Sequence, residues 1–220
     1  MRIAELIAES AQDLVPVGAN GDAQVRSVAL DSRRVQPGDI FVAVKGQDFN
    51  GHDYIQEAMT RGAAAVIGSD QEALHDLPVP AFHHPDPRAI IGTIASQLSG
   101  HPSRYLDMVG ITGTNGKTTT LKILAAIETA RGRRTGTIGT LGASISGTPL
   151  PTPLTTPEAP DVQNLLAEMR DDGCESCIME VSSHGIATGR VRGIDFCVTA
   201  FTNLTHDHLD FHHSMENYGA

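Results

Sequence analysis

The 220-residue chain has no tryptophan, three tyrosines and six phenylalanines, so aliphatic side chains must build its cores. It is equally poor in cysteine. Cys174, Cys177 and Cys197 are too few and too clustered to staple a domain of this size, which excludes a disulfide-framed scaffold and fits a reducing compartment. Cationic residues are scarce too: 16 lysines and arginines against 26 aspartates and glutamates give a formal charge of −10, which disfavours a nonspecific nucleic-acid binder with a basic surface but leaves local phosphate pockets open. No apolar run has the length of a membrane span, and the opening Met1-Arg2-Ile3-Ala4-Glu5 lacks the charged-then-apolar pattern of a secretory signal. The expectation is a cytoplasmic protein without nucleic-acid partner or membrane insertion, with a monomer as the simplest state.

What is present is an alternation of apolar strands and amphipathic helices, the pattern of an α/β protein. Residues 3–8 read as a helix, 25–30 and 40–44 as strands, 52–61 as a helix with Tyr54, Ile55, Ala58 and Met59 on one stripe, and 64–67 as a strand. The proline-rich stretch 77–87 suits a boundary or an edge strand, so the domains are expected to be 1–86 and 87–220. A helix carrying Ile90, Ile91, Ile94 and Leu98 then runs to Gly100. Strands at 106–111, 135–138, 177–181 and 196–201 alternate with helices at 117–130 and 158–171, which predicts a mostly parallel sheet. Thr156-Pro157-Glu158 reads as a helix start capped by Thr156, and Ser214 as another cap. Residues 215–220 supply barely more than one helical turn, so the second domain is expected to be incomplete at its C-terminal end.

The strongest chemical signal is Gly110-Ile111-Thr112-Gly113-Thr114-Asn115-Gly116-Lys117-Thr118-Thr119, between a predicted strand and a predicted helix. Glycines let the backbone curl so that several amides face one anion, the helix N-terminus adds a favourable dipole, Lys117 brings a mobile charge and Thr118 a hydroxyl for magnesium. The strict G-x-x-x-x-G-K-[ST] pattern requires glycine at position 111, where this chain has isoleucine, so the loop is a variant of the phosphate-binding P-loop.

Phosphoryl transfer also needs a divalent cation, and two candidate ligand sets stand at strand ends. Glu180 closes an otherwise apolar strand in Met179-Glu180-Val181-Ser182-Ser183-His184, at the edge where α/β sheets bind ligands. Farther on, residues 206–213 hold four histidines and two aspartates. His206-x-His208-x-Asp210 reproduces most of the H-x-H-x-D-H set of binuclear metallohydrolases, with Phe211 at the place of the final histidine; this rival reading leaves the phosphate loop unexplained. Cys174-Glu175-Ser176-Cys177 has C-x-x-C spacing but no second pair to complete a metal shell, and it reads better as Gly173 ending a helix and Cys177 opening a strand.

Taken together, Gly113-Thr114-Asn115-Gly116-Lys117-Thr118-Thr119, Thr155-Thr156-Pro157, Met179-Glu180-Val181-Ser182-Ser183-His184-Gly185, Phe201-Thr202-Asn203-Leu204 and Asp207-His208-Leu209-Asp210 resemble the central domain of the Mur ligases, in that family's order. Leu30-Asp31-Ser32-Arg33 and Pro37-Gly38-Asp39-Ile40-Phe41-Val42-Ala43 resemble the N-terminal uridine-nucleotide domain of the same family. The resemblance implies an ATP- and Mg2+-dependent amide-bond ligase. Its substrates would be UDP-MurNAc-L-Ala-D-Glu and a diamino acid, meso-diaminopimelate being commoner than lysine, joined through an acyl phosphate.

By the same resemblance, Gly113 through Thr119 bind ATP, and Lys117, Glu180 and His208 are catalytic, with Thr118, Glu180 and His208 holding the metal. Leu30, Ser32 and the Gln47-Asp48-Phe49 loop meet the uridine diphosphate end; Thr155, Thr156, Ser182, Thr188 and Arg190 meet the muramoyl-dipeptide, Arg190 by pairing with an anionic group. Leu154 and Thr188 depart from the asparagine and glutamine common in the family, and a leucine cannot replace an amide donor. The family's carbamylated lysine and its C-terminal domain are expected beyond residue 220, so the fragment by itself is expected to be inactive. A non-catalytic nucleotide-binding module is the remaining alternative.

Overall fold

The computed structural model describes residues 1–18, 21–46 and 49–219, which divide into two compact units, Met1–Gly100 and His101–Ala220. In the first unit the elements are α1 (Ile3–Ser10), β1 (Val15–Val17), β2 (Ser27–Ala29), β3 (Asp39–Ala43), α2 (Ile55–Thr60), β4 (Ala65–Gly68), α3 (Gln71–Leu74), β5 (Ala81–His83) and α4 (Arg88–Leu98). The sheet order is β1-β5-β4-β3-β2, parallel from β2 through β5, with β1 antiparallel at one edge. β3 and β4 are buried along their whole length, which explains why they read as continuous apolar runs rather than alternating ones. Phe41, Val66, Ile55, Ala58 and Leu74 form the core on one side.

Two expectations need correction in this unit. The helix Arg88–Leu98 packs against α1 and β2, burying Ile90, Ile91 and Ile94, so the unit closes at Gly100 rather than near residue 86. The proline-rich stretch yields β5, which is not an edge strand: it lies between β1 and β4, its prolines flanking the paired residues instead of interrupting them. Pro16, by contrast, does sit on the edge strand β1, where a missing N–H is tolerated.

The second unit contains β6 (Asp107–Thr112), α5 (Lys117–Ala130), β7 (Thr135–Gly139), β8 (Gly142–Ile145), β9 (Thr148–Leu150), α6 (Ala159–Asp171), β10 (Ser176–Glu180), α7 (Ser183–Ala187), β11 (Val198–Phe201), α8 (Leu209–His212) and α9 (Met215–Gly219). Its sheet order is β11-β6-β10-β7-β8-β9. The first four strands are parallel, and β7 continues into an antiparallel meander through β8 and β9, two strands that periodicity did not reveal because they are short and half exposed. Val162, Leu166 and Met169 of α6 pack with Met108, Ile138 and Met179, while Leu121 of α5 packs with Ile111 and Ile178.

The topology fixes the working edge. After β6 the chain crosses through α5 to β7, and β10 later fills the gap between them, so the ends of β6, β10 and β7 are neighbours. Glu180 pairs in register with Ile111, two residues before Gly113. Sheet reversals of this kind leave a crevice at the carboxyl ends of the strands.

Candidate nucleotide and substrate sites

Between β6 and α5 the chain turns through Gly113 and Gly116, with φ of 124° and 87°. Gly113 has no room for a side chain: a Cβ there would stand 2.8 Å from Asn203 O, 3.0 Å from Asn203 N and closer still to Thr202 Oγ1. The loop is tied to the segment after β11. Thr114 N–H donates to Asn203 O at 2.8 Å and Asn115 N–H to Asn203 Oδ1 at 3.1 Å, while Asn203 Nδ2 donates to Asn115 O at 3.0 Å. Thr114 Oγ1 bonds with Thr205 and lies 3.0 Å from the Tyr218 hydroxyl. Lys117 folds back over the loop, donating from Nζ to Gly113 O at 2.6 Å and Thr114 O at 3.0 Å. The expectation that several loop amides converge on one anion is therefore narrowed, since two of them face Asn203. The first-turn amides of α5 have no acceptor within the helix.

Glu180 is only 1% exposed, and both of its carboxylate oxygens are held by Thr140: Oε1 accepts the backbone N–H at 3.1 Å and Oε2 the hydroxyl at 3.1 Å. Gly139 must be glycine because a Cβ there would strike Oε1. A cavity of about 270 Å³ is lined by Thr118 and Lys122 of α5, by Gly139 and Leu141, and by Glu180. Among the described residues no cationic side chain pairs with Glu180. A buried carboxylate held by neutral donors and sharing a cavity with a threonine hydroxyl is a hard oxygen donor set, which suits magnesium. Thr140 was not anticipated; the only hint was its place just after a strand parallel to the one bearing Glu180.

The remaining expected residues divide. Thr155 Oγ1 lies 3.1 Å from Thr140 Oγ1 and so joins the Glu180 group. Thr156 is buried and does not cap α6, whose cap position is Glu158; its hydroxyl donates to Glu180 O at 3.0 Å, accepts from Ser182 N at 2.9 Å and lies 3.0 Å from Ser182 Oγ. Ser182 Oγ in turn caps α7 through Gly185 N at 3.1 Å. Thr188 spends its hydroxyl on His184 O at 2.6 Å. Arg190 pairs with Glu158 Oε1 at 3.0 Å and donates to Thr156 O at 3.1 Å, tying the start of α6 to the residues after α7.

His208 is not among the residues lining the cavity of Thr118 and Glu180. Its ring meets His184 edge-on at 4.9 Å and Tyr218 at 6.2 Å, and His212 stacks at 5.1 Å from Tyr218. Desolvation, followed by His208 and His212, lowers the pKa of His184. Among the described residues no group of three His, Cys, Asp or Glu side chains is placed to hold a metal, so the His206-x-His208-x-Asp210 spacing does not assemble a hydrolase centre. The C-x-x-C pair is equally inert: Cys174 and Cys177 are buried, and burial pushes the Cys177 thiol up.

In the first unit, Leu30, Ser32 and Phe49 line one cavity of about 360 Å³ with Asp31, Tyr54 and Arg88, at the carboxyl ends of β2 and β3. Ser32 is buried and donates to Glu57 Oε2 at 2.6 Å, whereas the Phe49 ring is exposed. Tyr54 and Arg88 were not anticipated as lining residues. Gln47 and Asp48 lie outside the described residues.

Comparison with known proteins bears on this arrangement. The Mur ligase middle domain matches residues 111–220, and the Mur ligase family catalytic domain matches residues 24–111. This chain belongs to the Mur ligase family. The Mur ligase chain is 46% identical, over 95% of its length, to the UDP-N-acetylmuramoyl-L-alanyl-D-glutamate--2,6-diaminopimelate ligase of Xanthomonas oryzae pv. oryzae, and 41% identical, over 92%, to the enzyme of that name from Geobacillus thermodenitrificans. It spans 42% and 41% of those two proteins. A solved structure of a ligase with the same name superposes with a TM-score of 0.75 at 30% identity, covering 88% of this chain and 39% of that one. A MurF ligase from Thermotoga maritima in complex with ADP superposes with a TM-score of 0.58 at 25% identity, covering 89% of this chain and 42% of that one. Among the described residues no helix is long and apolar enough to cross a membrane.

Proposed function

We propose that this Mur ligase chain is the uridine-nucleotide- and ATP-phosphate-binding part of a cytoplasmic ligase of peptidoglycan precursor synthesis. That ligase adds the third residue, meso-diaminopimelate, to UDP-MurNAc-L-Ala-D-Glu. The observation that carries the reading is the shared cavity of Thr118, in the first turn of α5, and Glu180, at the end of the neighbouring strand β10. The names of the relatives at 46% and 41% identity support the choice of substrate and added residue.

The reaction runs in two balanced steps. The γ-phosphate of ATP passes to the D-glutamyl carboxylate, giving ADP and an acyl phosphate; the amine of the incoming residue then attacks the acyl carbon, a C–N bond forms, and phosphate leaves. The first-turn amides of α5 receive the phosphates. Lys117 exchanges the carbonyls of Gly113 and Thr114 for a charged oxygen, a stronger acceptor for an ammonium. Glu180 and Thr118 would hold magnesium, with His208 as the further expected ligand beyond the cavity lining. When bound, the ion neutralises charge between nucleotide phosphates and an anionic acceptor. Thr155, next to Thr140, is the best placed of the dipeptide contacts, and Arg190 meets a substrate anion by exchanging Glu158 for it. The first-unit cavity takes the uridine end against Phe49, with Leu30 and Ser32 in its wall.

The test is calorimetric titration of residues 1–220 with a non-hydrolysable ATP analogue and with UDP-MurNAc-L-Ala-D-Glu, each with and without magnesium. Lys117→Ala should weaken analogue binding by about 1.5–3 kcal/mol, roughly 10- to 150-fold, and leave UDP-sugar binding in place. Absence of magnesium-dependent analogue binding, or a Lys117→Ala variant that binds as the parent does, overturns the reading.

A further inference from the structure

Asn203 holds the phosphate loop through three hydrogen bonds, each of them to a backbone group of Thr114 or Asn115. Its side chain engages both backbone polar groups of residue Asn115, accepting from N–H at 3.1 Å and donating to C=O at 3.0 Å, and its own carbonyl accepts from Thr114 N–H at 2.8 Å. The neighbouring Thr202 hydroxyl lies 2.7 Å from Asn115 O. This is the pairing a further strand would make, supplied here by a side-chain amide and one carbonyl, and it leaves the amides of Thr114 and Asn115 unavailable to a ligand. The absent Cβ at Gly113 lets the two segments approach this closely.

We propose that Asn203 is a positioning residue for the phosphate site: it consumes the Thr114 and Asn115 amides, so that the anion is received by the amides of residues 116–119 together with Lys117. This inference rests on the nucleotide reading above and adds which half of the loop meets the phosphate. The choice of asparagine follows from the chemistry, because the site demands one acceptor and one donor from the same planar group. Aspartate keeps the acceptor but turns a charged oxygen toward Asn115 O. Protonated, it regains a donor.

Amide hydrogen exchange on the unaltered chain, with and without ADP and magnesium, tests the assignment without a variant. Thr114 and Asn115 should be protected in both conditions, and residues 117–119 should gain protection only with nucleotide. Exchange of Thr114 and Asn115 that is fast alone and slowed by nucleotide overturns the proposal. If nucleotide changes no amide, the nucleotide reading fails, while protection of Thr114 and Asn115 still reports on the Asn203 contacts. The second arm is Asn203→Asp, with parent and variant titrated in parallel at each pH. At pH 7.5 its nucleotide affinity should fall about tenfold, and the ratio to the parent should narrow as the pH is lowered toward the carboxyl pKa. A ratio that is flat with pH, or affinity equal to the parent's at pH 7.5, also overturns it, since a merely structural role for residue 203 gives no such profile.

Discussion

The Glu180 carboxylate is held by Thr140 through two hydrogen bonds of 3.1 Å, one from the backbone N–H and one from the hydroxyl. The threonine thus stands between a buried anion and the site in which that anion is proposed to work. Thr140→Val keeps the shape and the backbone donor but removes the hydroxyl. Because a hydrogen bond to a charged group contributes about 1.5–3 kcal/mol, the unfolding free energy of the variant should fall by an amount in that range, read as a lower urea midpoint at unchanged m-value. Bound magnesium nucleotide should recover part of the loss by linkage. A midpoint unchanged from the parent would show that the Thr140 hydroxyl does not support the carboxylate.

Gly113→Ala places a methyl group against Thr202 and the Asn203 backbone, at a φ of 124° that side chains rarely adopt. Strain of about 1–3 kcal/mol is expected, with loss of analogue binding. Thermal unfolding and titration check both parts. An alanine variant with the parent's Tm and affinity would contradict the close approach described for this turn.

His52 links the turn before α2 to the end of β4: its Nε2 accepts from Ser69 N–H at 3.1 Å and Asp70 N–H at 3.2 Å, and its Nδ1 meets Asn50 Oδ1 at 2.8 Å. Only a neutral ring can accept at Nε2. Desolvation lowers its pKa below the ordinary 6.5, outweighing the opposing pull of Asp70 and Asp53. A depressed histidine pKa means that below pH 6.5 the unfolded chain binds a proton the folded chain refuses, so stability falls as the pH falls. His184 acts in the same direction, and the comparison must therefore be made against His52→Gln. The parent should lose more stability than this variant between pH 7.5 and about pH 5.5, by urea unfolding; equal losses would remove His52 from the account.

Thiol labelling gives a test of burial. Cys174 and Cys177 are buried and Cys197 is exposed, so one thiol in three should react quickly in the native chain and all three in denaturant. Fast native labelling of Cys177 would contradict its place in the central strand β10.

Residues 1–220 should form no amide bond when given ATP, magnesium, UDP-MurNAc-L-Ala-D-Glu and meso-diaminopimelate, because they span only about two-fifths of the relatives' length. Product detected by mass spectrometry would refute this.

Some features of this protein are local, and the sequence determined them unaided. Glycines between an apolar strand and a helix announce a tight turn, found at Gly113 and Gly116, and the helix at 117–130 ends where its periodicity does. The cap at Ser214 is bonded to Asn217 N–H, as its position implies. Other features depend on which strands become neighbours. Glu180 acquires Thr140 because β7 lies beside β10, a pairing between residues forty positions apart. Thr156 serves Glu180 O and Ser182 instead of α6 because the sheet edge brings those groups within reach of its hydroxyl. The helix after residue 87 joins the first unit because α1 and β2 offer its isoleucines a surface to cover. Periodicity along a chain records which face of an element is apolar, but it carries no information about what that face meets. Spacing supplied the ligand types, and strand order decided which of them share a cavity.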